Sequence, residues 1–110
     1  MIRSVNPDGI LIGDELYTHT IGISLDSVFD DWEHKEISEL VEEDFAPLLT
    51  LEPEVIVLGT GKANVFPPRA LVFAMARRQM GFEFMDTAAA ARTFNVLAGE
   101  GRRVAALLCL

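Results

Sequence analysis

The chain has 110 residues, which suits one compact domain and leaves no room for a second. Half of the residues are hydrophobic, ample for a packed core and unlike a disordered chain. The formal net charge of -8 argues against nonspecific binding to nucleic acid or to an anionic membrane surface.

The acidity is uneven. Between Asp26 and Glu54 there are eleven acids and a single base, Lys35; between Lys62 and Arg103 there are seven bases and three acids. The second half thus has the charge to hold one small anion, although runs of this kind are in general solvated surface. The two longest apolar stretches, Ala70–Ala76 and Val104–Leu110, are seven residues each, so no direct membrane insertion is expected. The opening MIRSVNPDG has neither a secretory apolar region nor a basic, acid-poor transit pattern. One cysteine, Cys109, cannot form an internal disulfide, and a cytoplasmic location is expected.

Residues 1–37 read as short strands and turns. Pro7-Asp8-Gly9 is a turn between Ile2–Val5 and Ile10–Ile12, and Gly13-Asp14 is another before a strand over Leu16–Ile23. An edge strand over Val28–Trp32 is expected next. Ser38 followed by Glu39, Glu42 and Glu43 reads as a helix cap with acids in the first turns, and Leu40, Val41, Phe45, Leu48 and Leu49 supply the apolar face until Pro53 stops it. Val55–Leu58 is a continuous apolar run, as in a strand buried on both faces. Pro67-Pro68 starts a helix through about Met80, ended by Gly81. Phe82–Met85 is a short strand, Asp86-Thr87 a cap, and Ala88–Ala98 a helix of strong helix formers with Gly99 and Gly101 as its exit. Val104–Leu110 is the last strand. Strand, helix, strand, helix, strand predicts an α/β sheet with crossover helices, behind an N-terminal β-hairpin region.

The first candidate site is EVIVLGTGKANVFPP, Glu54–Pro68. A strand running into Gly-Thr-Gly-Lys is the setting in which α/β proteins hold phosphates, but the spacing matches neither known glycine motif. Only Thr60 separates Gly59 from Gly61, and Ala63 follows Lys62 where a P-loop has Ser or Thr. The dinucleotide fingerprint needs glycine where Asn64 stands, and a helix that starts at once. What remains is a concave turn whose backbone N–H groups and Lys62 could cradle an anion at a strand's C-terminal end. The alternative is a tight turn with Lys62 in water.

The second constellation is MDTAAAARTFN, Met85–Asn95. Arg92 and Asn95, three apart, share a helix face, while Ala90, Phe94 and Leu97 share the apolar one. Arg92 is expected either to reach a ligand at the glycine loop or to be occupied by carbonyls or by Asp86. The acids and His34 between Asp30 and Glu36 fall in no metal-ligand spacing. His19 reads as a strand residue and Cys109 as a buried structural thiol. One cysteine and two uncommitted histidines assemble no catalytic set, so no catalytic residue, metal or cofactor is expected.

Taken together, EDFAPLL, LGTGKANVFPP and MGFEFMDTAAAARTFNVLAGEGRRVAALL resemble the Mth-type domain family of unknown function, which includes the mitochondrial complex I (NADH dehydrogenase) assembly factor 3 and the adipogenesis-associated Mth-domain protein. The resemblance runs best from Glu43 to Leu108. It implies a three-layer α/β domain with a mixed central sheet of about five strands, and no established enzymatic activity for the bacterial-type members. It also implies a non-enzymatic binding or assembly role with a protein partner in membrane-complex assembly. The matching positions are Gly59, Thr60, Gly61, Met85, Asp86, Thr87, Arg92, Thr93 and Asn95. Relatives often carry cysteine where this chain has Ala91 and tyrosine where it has Phe94, so thiol chemistry at the first position is not open to this chain. The expected ligand-binding set is therefore Gly59, Thr60, Gly61, Lys62, Asp86, Thr87, Arg92, Thr93 and Asn95, with a small anion as the competing ligand.

Overall fold

A computed structural model describes residues 1–110. The N-terminal segment folds as a small antiparallel sheet of β1 (Ile2–Asn6), β2 (Gly9–Ile12) and β3 (Glu15–Tyr17). The β1–β2 turn is closed by Asn6, whose side-chain oxygen accepts from the Asp8 N–H at 2.9 Å.

The main sheet contains β4 (Ile21–Ile23), β5 (Val28–Phe29), β6 (Val55–Thr60), β7 (Gly81–Met85) and β8 (Val104–Cys109), in the order β5-β4-β8-β6-β7. Strands β6, β7 and β8 are parallel, and β4 runs antiparallel to β8 and β5, so the sheet is mixed as expected. The three helices are α1 (Ala46–Leu49), α2 (Arg69–Arg77) between β6 and β7, and α3 (Thr87–Gly99) between β7 and β8.

Every residue of β6 and β8 is buried, which explains their unbroken apolar runs. Alternate residues feed two separate cores. Val55, Val57, Val104, Ala106 and Leu108 face Ala90, Ala91 and Phe94 of α3 together with Ile2 and Ile10 of the small sheet. Ile56, Leu58, Ala105, Leu107 and Cys109 face Phe45 and Leu48 of the α1 region and Leu71 and Met75 of α2. Each fully buried Leu, Ile or Val stabilises the fold by about 1.5–3 kcal/mol, so these two strands anchor the three layers.

Four expectations need correction. The helix expected from Ser38 is instead two 3-10 turns, Ile37–Glu39 and Glu42–Phe45, followed by the single turn α1. A helix begun at Ser38 would carry Pro47 in its interior, where its ring clashes with the preceding turn; the chain restarts so that Pro47 falls in the first turn of α1. Asp44 braces the irregular segment, accepting from the Val41 N–H at 2.9 Å and pairing with Lys35 at 2.9 Å.

The run Leu16–Ile23 is not one strand. It divides into β3 and β4, which serve different sheets. The strand expected over Val28–Trp32 keeps only Val28–Phe29, because Trp32 turns to lie against Gly22, where an added Cβ would be 2.5 Å from its ring. Finally, α2 ends at Arg77, and the left-handed exit residue is Gln79 (φ 58°) rather than Gly81, which already belongs to β7.

Candidate functional site

Strands β6 and β8 end beside the start of α3, and the β1–β2 turn closes over them. A cavity of about 370 Å³ opens there, lined by Gly61 and Lys62 from the loop, Asp86, Thr87 and Ala88 from α3, Val5–Pro7 from the hairpin, and Cys109 with Leu110. It lies at the C-terminal ends of parallel strands, where open α/β sheets bind ligands.

Thr87 is the hub of this region. Its side chain is buried at 2 % exposure. Its hydroxyl donates to the Cys109 carbonyl at 2.5 Å and accepts from the Gly61 N–H at 2.8 Å. Its own N–H donates to the Gly61 carbonyl at 2.8 Å. One threonine thus ties the end of β6, the start of α3 and the end of β8. Asp86 caps α3, accepting from the Ala89 N–H at 2.9 Å.

The two glycines of the loop do different work. Gly59 lies within β6, and a Cβ there would be 2.8 Å from the Thr87 hydroxyl and 3.2 Å from the Ala90 Cβ, so its bareness lets α3 approach the sheet. Gly61 has open space around it but a φ of 99°, which L side chains resist. Thr60 between them is mostly buried; its hydroxyl donates to the Ala63 carbonyl at 2.5 Å, accepts from the Val65 N–H at 3.1 Å and lies 3.2 Å from the Met85 carbonyl. The loop is therefore closed on itself. The Gly61 amide, the natural donor to an anion, is occupied by Thr87.

Of the nine expected residues, Gly61, Lys62, Asp86 and Thr87 line the cavity. Gly59 and Thr60 sit beneath it in β6. Arg92, Thr93 and Asn95 are elsewhere along α3. Arg92 is exposed, forms no ion pair or hydrogen bond, and is not part of the cavity wall. It lies five positions beyond Thr87, about 7.5 Å along the helix axis. Asp86 is engaged with Ala89, not Arg92. Thr93 donates to the Met85 sulfur at 3.3 Å. Asn95 clamps the small sheet: its side-chain oxygen accepts from the Ile2 N–H at 3.1 Å and its amide donates to the Ile2 carbonyl at 2.7 Å.

Sequence reasoning missed two walls of this cavity, Val5–Pro7 and Cys109–Leu110. Pro7 carries only a turn signal, and the pairing that brings residue 109 beside residue 60 leaves no local trace. Burial pushes the Cys109 thiol up to about 11, against a smaller opposing contribution from a hydrogen bond with Thr20. At neutral pH it is a protonated, apolar wall residue rather than a nucleophile. The polar groups offered to the cavity are the Lys62 ammonium, the Asp86 carboxylate, the Asn6 side-chain amide and the first turn of α3. An anionic ligand would gain from Lys62 and the helix dipole but would sit beside Asp86. No group of three or more His, Cys, Asp or Glu residues is placed to hold a metal ion.

With this geometry, residues 2–109 match the model of a family described as a protein of unknown function (DUF498/DUF598). Among curated proteins, the human NADH dehydrogenase (ubiquinone) 1 alpha subcomplex assembly factor 3 is 31% identical over 109 residues, spanning 97% of this chain and 59% of that protein. A 13 kDa major membrane protein of Francisella tularensis is 27% identical over 94 residues, spanning 84% of this chain and 76% of that protein. The chain therefore spans little more than half the length of the human assembly factor. Among solved structures, a Xanthomonas campestris protein studied by NMR is 34% identical with a TM-score of 0.88, covering 97% of this chain and 81% of that one. A Mth938-like domain from Bordetella pertussis is 25% identical with a TM-score of 0.76, covering 98% of this chain and 84% of that one. No helix here is long and apolar enough to cross a membrane. The chain belongs to the DUF498/DUF598 family of proteins of unknown function, the Mth938-like domains.

Proposed function

We propose that this domain is a non-enzymatic binding module that helps to assemble a multi-subunit membrane complex, working in a reducing, cytoplasm-like compartment. The observation that carries the reading is where the polar side chains of the cleft are directed. Within the cleft, Thr87 ties β6, α3 and β8 together and Asp86 is used to cap α3, while Asn95, further along the helix and outside the cleft, clamps the small sheet. Similarity to a protein named as a complex I assembly factor supports the same reading. The test is affinity purification of the tagged full chain from its native cell. Recovery of a stable subunit of a membrane-bound complex supports the proposal, and recovery of no stable partner counts against it.

A second reading has one specific observation behind it: Lys62 is exposed, has no ion-pair partner, and lines the cavity. It takes the cavity as a pocket for a small phosphate- or carboxylate-bearing molecule. Thermal-shift measurements across a panel of such anions test it. Stabilisation that Lys62→Ala removes and Arg92→Ala leaves intact supports the pocket; no stabilisation by any anion ends it.

A further inference from the structure

Strand β7 is the last strand on its side of the main sheet. Its Gly81 N–H donates to the Glu54 carbonyl at 2.9 Å, which fixes the alternation of its backbone. Gly81, Glu83 and Met85 turn their N–H and C=O groups toward β6; Phe82 and Phe84 turn theirs to the free edge. Two donors and two acceptors therefore face outward with no strand opposite them.

The side chains flanking this edge are unusual for solvent. A file of aromatic rings runs out from the core: Phe45 to Phe82 at 6.0 Å, Phe82 to Phe84 at 6.4 Å, and Phe84 to Phe66 at 5.2 Å. Phe66 ends the file 79% exposed. Phe82 and Phe84 pack toward the α2 side of the sheet, so Glu83, which is exposed, projects from the opposite face.

We propose that the free edge of β7 is a docking strand for an extended segment of a partner protein. The segment adds antiparallel to β7, places apolar residues along the Phe84–Phe66 side, and sets a lysine or arginine across from Glu83. This rests on the binding-module reading above and names the surface it uses. Strand addition matches the unpaired backbone groups, and the charge of Glu83 selects the occupant. A second copy of this chain is disfavoured by register. The one antiparallel self-pairing that satisfies all four outward groups puts Phe82 opposite the partner's Phe84. It thereby sets Glu83 against Glu83 at a non-hydrogen-bonded site, the closest cross-strand position, where like charges repel. A basic residue there turns the same proximity into attraction.

The test uses the full chain and capped seven-residue peptides with a valine–lysine–valine centre, a valine–glutamate–valine centre, and an N-methylated form of the first. Each is titrated into isotope-labelled protein and followed by amide NMR and hydrogen exchange. The lysine peptide should shift and protect the Phe82 and Phe84 amides and bind about tenfold more tightly than the glutamate peptide, a ratio set by one cross-strand charge pair. Glu83→Lys should invert that preference, Phe66→Ser should weaken both peptides, and N-methylation should abolish binding. Both substitutions are at exposed positions and leave the core intact. No change at the β7 amides with millimolar peptide, equal binding of the two charged peptides, or self-association of the protein through β7 would each overturn the proposal. Its failure is separable from that of the binding-module reading. A native-cell partner still recovered by Glu83→Lys and Phe66→Ser leaves that reading standing without this edge. Recovery of no partner by the unaltered chain removes that reading while the titration still reports on β7.

Discussion

Replacing Thr87 by valine keeps the shape of the side chain and removes only the hydroxyl. Two groups lose their partner: the Gly61 N–H at 2.8 Å and the Cys109 carbonyl at 2.5 Å. An orphaned buried polar group costs about 1–3 kcal/mol. Gly61 is half-buried, so water can reach its amide and the lower end applies; Cys109 is 5% exposed, so its carbonyl stays dry. Against these losses, a methyl replaces a desolvated hydroxyl, returning roughly 1 kcal/mol. The net expectation is a loss of about 2 kcal/mol, or about 8 °C in melting temperature at roughly 4 °C per kcal/mol for a domain of this size. Urea unfolding followed by circular dichroism measures it, with the slope against denaturant unchanged because the native surface is the same. Thr87→Ser keeps the hydroxyl and should recover most of the loss. A valine variant within 0.5 kcal/mol of the parent, or a serine variant as weak as the valine, would refute the assignment of Thr87 as the pin between β6, α3 and β8.

Three further outcomes follow from the same geometry. Gly59→Ala should destabilise the fold by about 1–3 kcal/mol through overpacking against Thr87 and Ala90, and Gly61→Ala by about 1 kcal/mol through backbone strain alone, so chemical denaturation should rank the first as the more damaging. Asn95→Ala should speed hydrogen exchange in β1 and β2 while β6 and β8 remain protected, since only the clamp on Ile2 is lost; uniform loss of protection would contradict that. Burial raises Cys109 in the folded state, so the folded chain binds a proton that the unfolded chain releases above its ordinary value near 9. Stability from this group is complete below pH 9 and lost as pH rises toward about 11, a fall of roughly 2–3 kcal/mol. Cys109→Ala should lack that component when the two stability–pH curves are subtracted.

The legible parts of the fold were those whose cause is local. The buried strands β6 and β8 announce themselves as apolar runs, and α3 by its Asp86 cap and alanine-rich body. Where partners lie far apart in sequence, local reading failed. Ile21–Ile23 looks continuous with Leu16–Tyr17, yet it pairs with Ala106–Leu108 at the other end of the chain. The acidic segment after Ser38 has helical spacing, and only the position of Pro47 explains why the helix does not form there. The candidate site divided in the same way. Gly61, Lys62, Asp86 and Thr87 meet because they lie at the ends of adjacent crossover units. That Arg92 stands apart from them depends on how α3 is rotated on the sheet, which the Asn95 clamp on Ile2 and the buried Ala90–Phe94 face set together. The β7 edge was invisible in sequence, since nothing in GFEFM distinguishes an edge strand from a central one.

The central claim is that this chain works by holding another protein. Affinity purification of the full chain from its native cell, with mass spectrometry of what remains bound after stringent washing, tests it most directly. The expected result is one or more stoichiometric subunits of a membrane-bound complex or of its assembly intermediates. A chain that purifies alone, at native expression and in repeated preparations, would contradict it.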